Sequence, residues 1–424
     1  MPKTALILLL LLIQHALLQA DNKPYPDTSS TAVSDELRFR NDDPIMLMLD
    51  SMINLSYLAK HMPLYAASCG NPKGFCSDDI PYYTDSVISV QMEALNLSTP
   101  FDLIYNAQVQ KFIDFYAYRR RASVARMLGL GRLYFPLFEE TLDKYNLPVE
   151  LKYLAIVESA LNPVAVSRAG AVGLWQFMPS TGRLYGLTPG QGVDDRRDPF
   201  LATDAACRHF VDLYARFGDW NLVLAAYNAG PGGVARAVKK AGGVNDYWKV
   251  QPYLPRETQS YVPAFIAVCY VMAHHQDFNI MPVSPPFDYY VLDTVAVRGY
   301  LTLDFLAEKM SMDRESLGFL NPALKSGIIY ATPEDPWYIT LPRQYVGTFI
   351  ANADLYYEAM KESSKARPDE SAAVAKAKSK VHTVRKGESL GVIASKHHCS
   401  VTALKKKNKL KSNTIHPGQK LYIP

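Results

Sequence analysis

The stretch Val149–Asn162, which reads VELKYLAIVESALN, decides how the rest of the chain is interpreted. Its apolar residues Leu151, Leu154 and Ala155 recur at the spacing of one face of an α-helix. Glu158 falls in the same stripe. A carboxylate that faces a core is costly unless it is paired or protonated, and burial raises the pKa of a carboxyl group. The stripe therefore predicts a buried acid of the kind that general acid catalysis near neutral pH requires.

A second interpretation of Glu158 needs no chemistry. The side chain could reach solvent at the last turn of the helix, or pair with a nearby arginine, for which Arg132, Arg168 and Arg183 are the candidates. Judged on periodicity alone, this ordinary structural role is favoured, and other segments have to decide between the two.

Two short clusters further along the chain favour a ligand site. The segment GLWQ begins at Gly173, where glycine lets the backbone approach a ligand closely, and continues with Trp175 and Gln176, a stacking face and an amide suited to a sugar ring. The segment AYNAG carries Tyr227 and Asn228 at the end of a predicted helix. Each cluster alone is weak evidence, since such helix ends are common.

Taken in order, these segments resemble the motifs of the bacterial lytic murein transglycosylases. The motifs are Glu158-Ser159 with Asn162-Pro163, then Ser167, then Gly173–Gln176, then Ala226–Gly230, then Tyr261 within RETQSYVP at Arg256–Pro263. The resemblance covers about residues 110–280 and implies a lysozyme-like, all-α catalytic domain related to goose-type lysozyme. The family often has Met in place of Trp175. The last motif is most like that of the membrane-bound members, which normally carry a lipid on a cysteine that this chain lacks.

The resemblance also implies the chemistry. Glu158 would be the single catalytic acid that cuts peptidoglycan glycan strands between N-acetylmuramic acid and N-acetylglucosamine and closes a 1,6-anhydro ring, so that the enzyme is a lyase. The residues that would hold this acid and the sugars are Ser167, Trp175, Gln176, Tyr227, Asn228 and Tyr261. We identify no second carboxylate inside the motifs, and we interpret the acidic loop Asp194–Asp198 as structural. The alternatives are a muramidase-type hydrolase and a non-catalytic wall-binding protein.

The chain also contains an internal repeat. Shifting residues 293–342 by 87 positions aligns Val297 with Val384, Leu303 with Leu390 and Asn321 with Asn408. Residues 381–424 resemble a LysM module, with Gly387-Glu388-Ser389-Leu390 and a terminal PGQKLYIP. LysM modules bind glycans that contain N-acetylglucosamine. The earlier copy lacks both motifs, and we expect a degenerate LysM-like module there.

The predicted fold class is multidomain α+β, an all-α lysozyme-like domain followed by two small βααβ LysM-type modules. The chain has 424 residues with 48% hydrophobic and 20% charged residues, enough for two or three domains and too apolar for general disorder. We expect a partly helical N-terminal extension at 21–100, the helical domain at 101–281, the modules at 293–342 and 381–424, and a linker at 343–380.

Several features concern location and partners. Residues 1–20 read as a signal peptide, and no later run is long enough to span a membrane, which predicts export to the periplasm or cell envelope. Cys69 and Cys76 flank a turn and are the disulfide candidate. Residues 361–424 contain 15 Lys/Arg against 4 Asp/Glu, but without interleaved aromatic residues we expect no nucleic acid partner. We expect no metal, no cofactor and a monomer.

Overall fold

The computed structural model describes residues 45–48, 61–62, 71–365, 381–385, 388–396, 401–408, 410, 412–416 and 418–422. The described residues up to 295, with 302–328 and 338–347, form one compact unit. Residues 296–301 and 329–337 form the second with the described residues from 348 onward. None of the helices in the described part of the chain combines the length and the apolar character that crossing a bilayer requires.

The first part of the chain is helical, as the periodicity predicts. Its α-helices are α1 (Asp85–Asn96), α2 (Ala107–Asp114), α3 (Arg121–Lys144), α4 (Leu154–Ser159), α5 (Pro179–Leu184), α6 (Pro199–Phe217), α7 (Trp220–Ala229), α8 (Pro231–Lys240), α9 (Tyr247–Val250) and α10 (Arg256–Ala273). A π-helical turn, Phe115–Arg119, joins α2 to α3. Short 3-10 turns occupy Val149–Tyr153, Asp195–Arg197, Gln251–Tyr253 and Tyr289–Val291.

Helix α10 forms the centre of this helical domain. Every residue from Tyr261 to Met272 is buried, which is the expected position for a helix that is apolar on all sides. It packs against α2, α4 and α7. The acid of α4 and the cluster at the end of α7 are thereby brought to the same helix.

The helix that carries Glu158 is shorter than its periodicity predicts. Residues Val149–Tyr153 form a 3-10 turn, and only Leu154–Ser159 are α-helical. The chain then leaves the helix through Ala160 and Leu161, whose φ angles of 52° and 60° lie in the left-handed region that non-glycine residues rarely adopt. The helix therefore ends directly after Glu158 and Ser159, before the proline at which we expected it to end.

Residues 71–96, which we expected to belong to the N-terminal extension, contact the helical domain. The Asn71 amide donates to the carbonyl oxygen of Gln276 at 2.8 Å, and Lys73 pairs with the Asp277 carboxylate at 2.8 Å. The Tyr83 hydroxyl donates to the carbonyl oxygen of Asp277 at 3.0 Å. This segment closes over the end of α10.

The second module has the predicted strand–helix–helix–strand order, and the first has one additional strand on each side of its two helices. The first contains β1 (Leu292–Val297), β2 (Tyr300–Thr302), α11 (Leu303–Met310), α12 (Arg314–Leu320), β3 (Ile328–Tyr330) and β4 (Trp337–Pro342). In it β1 pairs with β4, and β2 pairs with β3. The second contains β5 (Val381–Thr383), α14 (Leu390–Lys396), α15 (Val401–Lys407) and β6 (Lys420–Tyr422). Its strands are antiparallel, with His382 opposite Leu421.

Between the modules lies α13 (Arg343–Lys365), a helix of 23 residues at the start of the segment that we expected to be a linker. The predicted signal peptide, Cys69 and residues 366–380 lie outside the described residues. Cys76 is exposed, and its pairing with Cys69 stays a prediction.

Candidate functional site

Glu158 is buried, as its place in the apolar stripe predicts. Only 8% of its surface is exposed. Burial raises the pKa of its carboxyl group to about 8; a hydrogen bond from the Tyr261 hydroxyl lowers this pKa, and the charge of Glu257 raises it further. No arginine or lysine in the described part of the chain forms an ion pair with Glu158, and Arg132 pairs instead with Asp288 at 2.8 Å. Glu158 is therefore protonated at neutral pH.

Two tyrosines surround this acid. Tyr261, on the central helix α10, is fully buried, and its hydroxyl donates to Oε1 of Glu158. Tyr227, in the last turn of α7, donates to the carbonyl oxygen of Trp175 at 2.7 Å. Burial and then the charge of Glu158 raise the pKa of Tyr227 well above its usual value, so both phenols stay neutral. The acid thus has a fixed hydrogen-bond donor and a second phenol nearby.

The end of α7 is joined to the first turn of α10. Asn228 accepts a hydrogen bond from the Thr258 hydroxyl at 2.7 Å and donates through Nδ2 to Glu257 at 3.3 Å. Glu257 is exposed, and its charge acts on Glu158. The amide of Asn228 therefore holds a second carboxylate in the neighbourhood of the buried acid.

The segment that contains Gln176 is fixed to the acid helix. The Ser159 hydroxyl donates to the carbonyl oxygen of Leu174 at 2.9 Å. Gly173 has a φ of 90°, and a Cβ there would lie 1.9 Å from the carbonyl oxygen of Arg196, so only glycine fits. Gln176 donates to the Gly173 carbonyl at 2.8 Å, while its Oε1 is buried without a hydrogen-bond partner in the described structure. Because this oxygen is shielded from solvent, contact between Gln176 and a sugar stays a prediction.

Ser167 has a local role in the structure. Its hydroxyl oxygen accepts a hydrogen bond from the backbone N–H of Ala171 at 3.0 Å and closes the turn between Val166 and Val172, which form a β-bridge. Among the described residues Ser167 makes no hydrogen bond to Glu158 or to the two tyrosines, and its place in the site stays a prediction.

Three family models match the chain. Residues 136–249 match the model described as Transglycosylase SLT domain. Residues 291–358 match the model described as Lytic transglycosylase MltD, LysM-like domain, and residues 382–424 match the LysM domain. The chain carries an SLT domain followed by two LysM-type modules.

Several known proteins are similar to parts of this chain. Membrane-bound lytic murein transglycosylase D of Escherichia coli (strain K12) is 35% identical over 288 residues, which are 66% of this chain and 61% of that protein. The chain therefore spans about three fifths of the length of this relative. Soluble lytic murein transglycosylase of the same strain is 32% identical over 27% of this chain and 19% of its own length. The crystal structure of the 70 kDa soluble lytic transglycosylase of E. coli aligns with a TM-score of 0.32 and 22% identity, over 49% of this chain and 34% of that one.

One predicted site residue of the SLT domain does not face a cleft. Trp175 is fully buried, its indole N–H donates to the Thr203 hydroxyl at 3.0 Å, and its ring packs against Phe138 and Phe210. The prediction that it stacks on a sugar was wrong, because its indole is fully buried in the core of the domain. Trp175 contributes its carbonyl oxygen, which anchors Tyr227.

The acidic loop of the SLT domain is structural. Asp194 pairs with Arg196 at 2.8 Å, and the Arg196 guanidinium also donates to the carbonyl oxygens of Gly170 and Phe177, both at 3.1 Å. Asp195 accepts the backbone N–H of Thr188, and Asp198 caps α6. The loop therefore clamps the segment that leads to Gln176, and each of its three aspartates has a structural partner.

Glu257 is the site residue that the sequence interpretation missed. It lies inside the RETQSYVP motif, yet an exposed acidic residue in the first turn of a helix is ordinary, since it interacts favourably with the helix dipole. The only feature of the sequence that could have pointed to Glu257 is its position inside this motif. No group of three or more His, Cys, Asp or Glu within the described ranges is placed to hold a metal ion.

Proposed function

We propose that this chain is a peptidoglycan lytic transglycosylase, which cleaves the β-1,4 bond between N-acetylmuramic acid and N-acetylglucosamine without consuming water. The observation that carries the proposal is Glu158, a buried acid with a pKa of about 8 that Tyr261 holds in place. The names of the similar proteins support the same substrate, peptidoglycan.

In the first step Glu158 donates its proton to the bridging oxygen. The bond between this oxygen and C1 of the muramic acid breaks, and the N-acetylglucosamine side departs with a free 4-hydroxyl group. The positive charge that develops at C1 is stabilised by the carbonyl oxygen of the sugar's own acetamido group. Glu158 is protonated at neutral pH, which is the state that this step requires.

In the second step the carboxylate of Glu158 takes the proton of the muramyl 6-hydroxyl group. Oxygen O6 then bonds to C1 and closes the 1,6-anhydro ring, and Glu158 returns to its protonated state. One carboxyl group therefore serves as acid and then as base. Tyr261 keeps Oε1 of Glu158 in position throughout, by the hydrogen bond that its hydroxyl group donates.

One observation favours a second candidate, a muramidase-type hydrolase. Glycosidases that use water employ two carboxyl groups. Glu257 is a second carboxylate that acts electrostatically on Glu158, and a water molecule activated by it would give reducing ends in place of anhydro ends.

Mass spectrometry of the products released from purified sacculi tests both candidates. The transglycosylase proposal expects anhydro-muropeptides from the wild type and from Glu257→Gln, and none from Glu158→Gln. The control is Glu93→Gln, an exposed glutamate of α1, which should match the wild type. Reducing ends that disappear in Glu257→Gln would establish the hydrolase. Undiminished cleavage by Glu158→Gln would contradict both.

The pH dependence of cleavage gives an independent test. The acid form of Glu158 is present below its pKa of about 8 and is lost as the pH rises through that value, so the rate should fall above about pH 8. The same raised pKa lowers stability between about pH 4.5 and pH 8, because the carboxyl group ionises in the unfolded chain while it stays protonated in the fold. Glu158→Gln should therefore be more stable than the wild type at pH 7 by on the order of 3 kcal/mol, a difference that vanishes below about pH 4.

We further propose that the C-terminal LysM module binds glycan that contains N-acetylglucosamine, and that the chain works as a monomer exported to the periplasm or cell envelope. The family match over residues 382–424 and the relative described as membrane-bound support this placement. Fractionation of cells that express the full chain, with and without residues 1–20, tests the export.

A further inference from the structure

Two adjoining cavities form a groove in the first compact unit, apart from Glu158. One has a volume of about 270 Å³ and the other about 620 Å³, and Tyr290 and Arg343 line both. We call these two cavities together the seam groove. None of the residues that hold Glu158 lines it, so it is separate from the proposed acid site.

The walls of the seam groove come from two parts of the chain. One wall is formed by α3 and the start of α6 of the SLT domain, through residues such as Leu137 and Phe200. The other is formed by the 3-10 turn Tyr289–Val291 and by residues of the first LysM-type module, including Thr294 and Phe319. A ligand in the groove would contact both parts at once.

The lining combines aromatic faces with polar groups. Tyr290 is 69% exposed and Phe200 is 39% exposed, so part of each ring can pack against a ligand, although the Tyr290 ring also makes an edge contact with Tyr289. Thr294, Ser316 and Gln344 add hydroxyl and amide groups along the same groove. Aromatic faces together with hydroxyl and amide groups suit a sugar, which presents apolar ring faces and hydroxyl edges.

The charges of the groove select against a polyanion. Its charged residues are Asp293, Asp313 and Arg343, two carboxylates and one guanidinium. Arg343 is partly engaged, since its Nε donates to the Leu292 carbonyl at 3.3 Å and lies 4.0 Å from the Asp293 carboxylate. The groove therefore carries no excess of positive charge, which a polyanion would require.

We propose that the seam groove is a further glycan site, distinct from the Glu158 site and from the C-terminal LysM module, which binds a neutral stretch of N-acetylated glycan. The proposal rests on the proposed function, because that function supplies a long glycan strand that extends beyond the acid site. Two cavities in sequence fit more than one sugar, and walls from two parts of the chain would orient a bound strand relative to the SLT domain.

Hydrogen exchange on the full-length Glu158→Gln chain with chitopentaose as the probe tests the proposal. We expect slower exchange in residues 287–294 and 340–345 when the probe is bound. Tyr290→Ala should weaken this protection about three- to tenfold, the equivalent of one aromatic contact. It should leave protection at residues 226–230 and 381–422 unchanged. Tyr338→Ala, at an exposed tyrosine of β4 outside the groove, is the matched control.

Three results would overturn the groove proposal. The first is no protection at 287–294 and 340–345 up to the solubility limit of the probe. The second is protection there that Tyr290→Ala does not weaken. The third is a dimer in sedimentation that Tyr290→Ala dissociates, which would make the groove an interface between copies. If the groove is protected but wild-type chain releases no anhydro products from sacculi, the proposed function fails and the glycan site stands.

Discussion

The two LysM-type modules use the same asparagine to hold their last strand. In the first module Asn321 accepts the backbone N–H of Thr340 at 2.8 Å and donates to its carbonyl oxygen at 3.0 Å. In the second, Asn408 makes the same pair of hydrogen bonds with Tyr422, both at 2.7 Å. These asparagines are the residues that the internal repeat aligns, so the alignment identified a structural clamp.

The modules differ in the turn before their first helix. In the C-terminal module Glu388 accepts the backbone N–H of Arg385 at 2.9 Å and pairs with His382 at 2.7 Å. The aligned residue of the first module is Leu301, which is fully buried and belongs to strand β2. The helix cap is kept in both modules, as Thr302 and Ser389. The two modules therefore share the asparagine that holds the last strand and the residue that caps the first helix. They differ in the turn before that helix, which is a polar loop in the second module and part of a strand in the first.

Exchanging the turn residue in the first module should have the largest effect. Leu301→Glu places a carboxyl group at a fully buried position and should lower the free energy of unfolding by about 3 kcal/mol or more. Leu301→Met, which keeps the volume, should cost less than about 1.5 kcal/mol. Urea unfolding of both full-length variants measures the difference. Equal stabilities would show that the first module tolerates a polar residue at this turn, and that the two modules do not differ in this respect.

Removing the clamp should have a smaller effect, and a different one in each module. Asn321→Ala leaves the N–H and carbonyl groups of Thr340 unpaired, and because Asn321 is only 7% exposed this should cost about 2 kcal/mol. Asn408 is less buried, so Asn408→Ala should cost about 1 kcal/mol. Local hydrogen exchange in each module reports the two values separately.

A third asparagine provides the control for the clamp. Asn352, on α13, makes an exposed bond to the carbonyl oxygen of Thr348 in its own helix, and Asn352→Ala should change stability by less than about 0.5 kcal/mol. A cost for Asn408→Ala above that for Asn321→Ala would contradict the assignment of the stronger clamp to the first module.

The sequence predicted these elements because their residues repeat at regular spacings. The helices, the strands β1 and β4 and the burial of Glu158 all follow from periods of 3.6 or 2 residues, which fix the direction of each side chain. The shift of 87 positions located Asn321 and Asn408 without any knowledge of their bonds. Regular structure is therefore the part of this fold that a pattern can predict.

The predictions from the sequence failed where the backbone is irregular, or where a residue type is common at its position and so gives no sign of a special role. Trp175 lies between Gly173 and Gln176, which both have positive φ, and no periodicity gives the direction of a side chain in such a segment. Glu257 was missed for the opposite reason, since an acidic residue at a helix start needs no special explanation. The early end of α4 depends on Ala160 and Leu161, which adopt left-handed φ angles. Alanine and leucine rarely adopt this conformation, so their residue types could not predict it.

Deleting the C-terminal module should change binding more than chemistry. Removal of residues 366–424 leaves α13 complete and should weaken the affinity for sacculi about tenfold, because the module raises the local concentration of substrate. Cleavage of short soluble glycans should stay within about twofold of the wild type. A loss of soluble-substrate cleavage would show that the C-terminal module acts on the chemistry itself.

The first module cannot be deleted in the same way without affecting the proposed site. The carbonyl oxygen of Ala323 accepts the backbone N–H of Asp194 at 3.0 Å, in the loop that holds the segment leading to Gln176.

The smallest effect is expected for Glu388→Gln. The amide oxygen of glutamine still accepts the Arg385 N–H, so the turn keeps its shape and loses only the charged partner of His382, at a cost of about 0.5–1 kcal/mol. Hydrogen exchange of residues 381–422 measures this cost, and Glu358→Gln, whose partner Lys361 lies at 3.4 Å on an exposed face, is the control. Sacculus binding measured on the same variants separates the two roles of the turn. If Glu388→Gln weakens sacculus binding by more than its loss of stability explains, the turn contacts the glycan. The buried leucine at the aligned position of the first module would then mean that the first module lacks this binding surface.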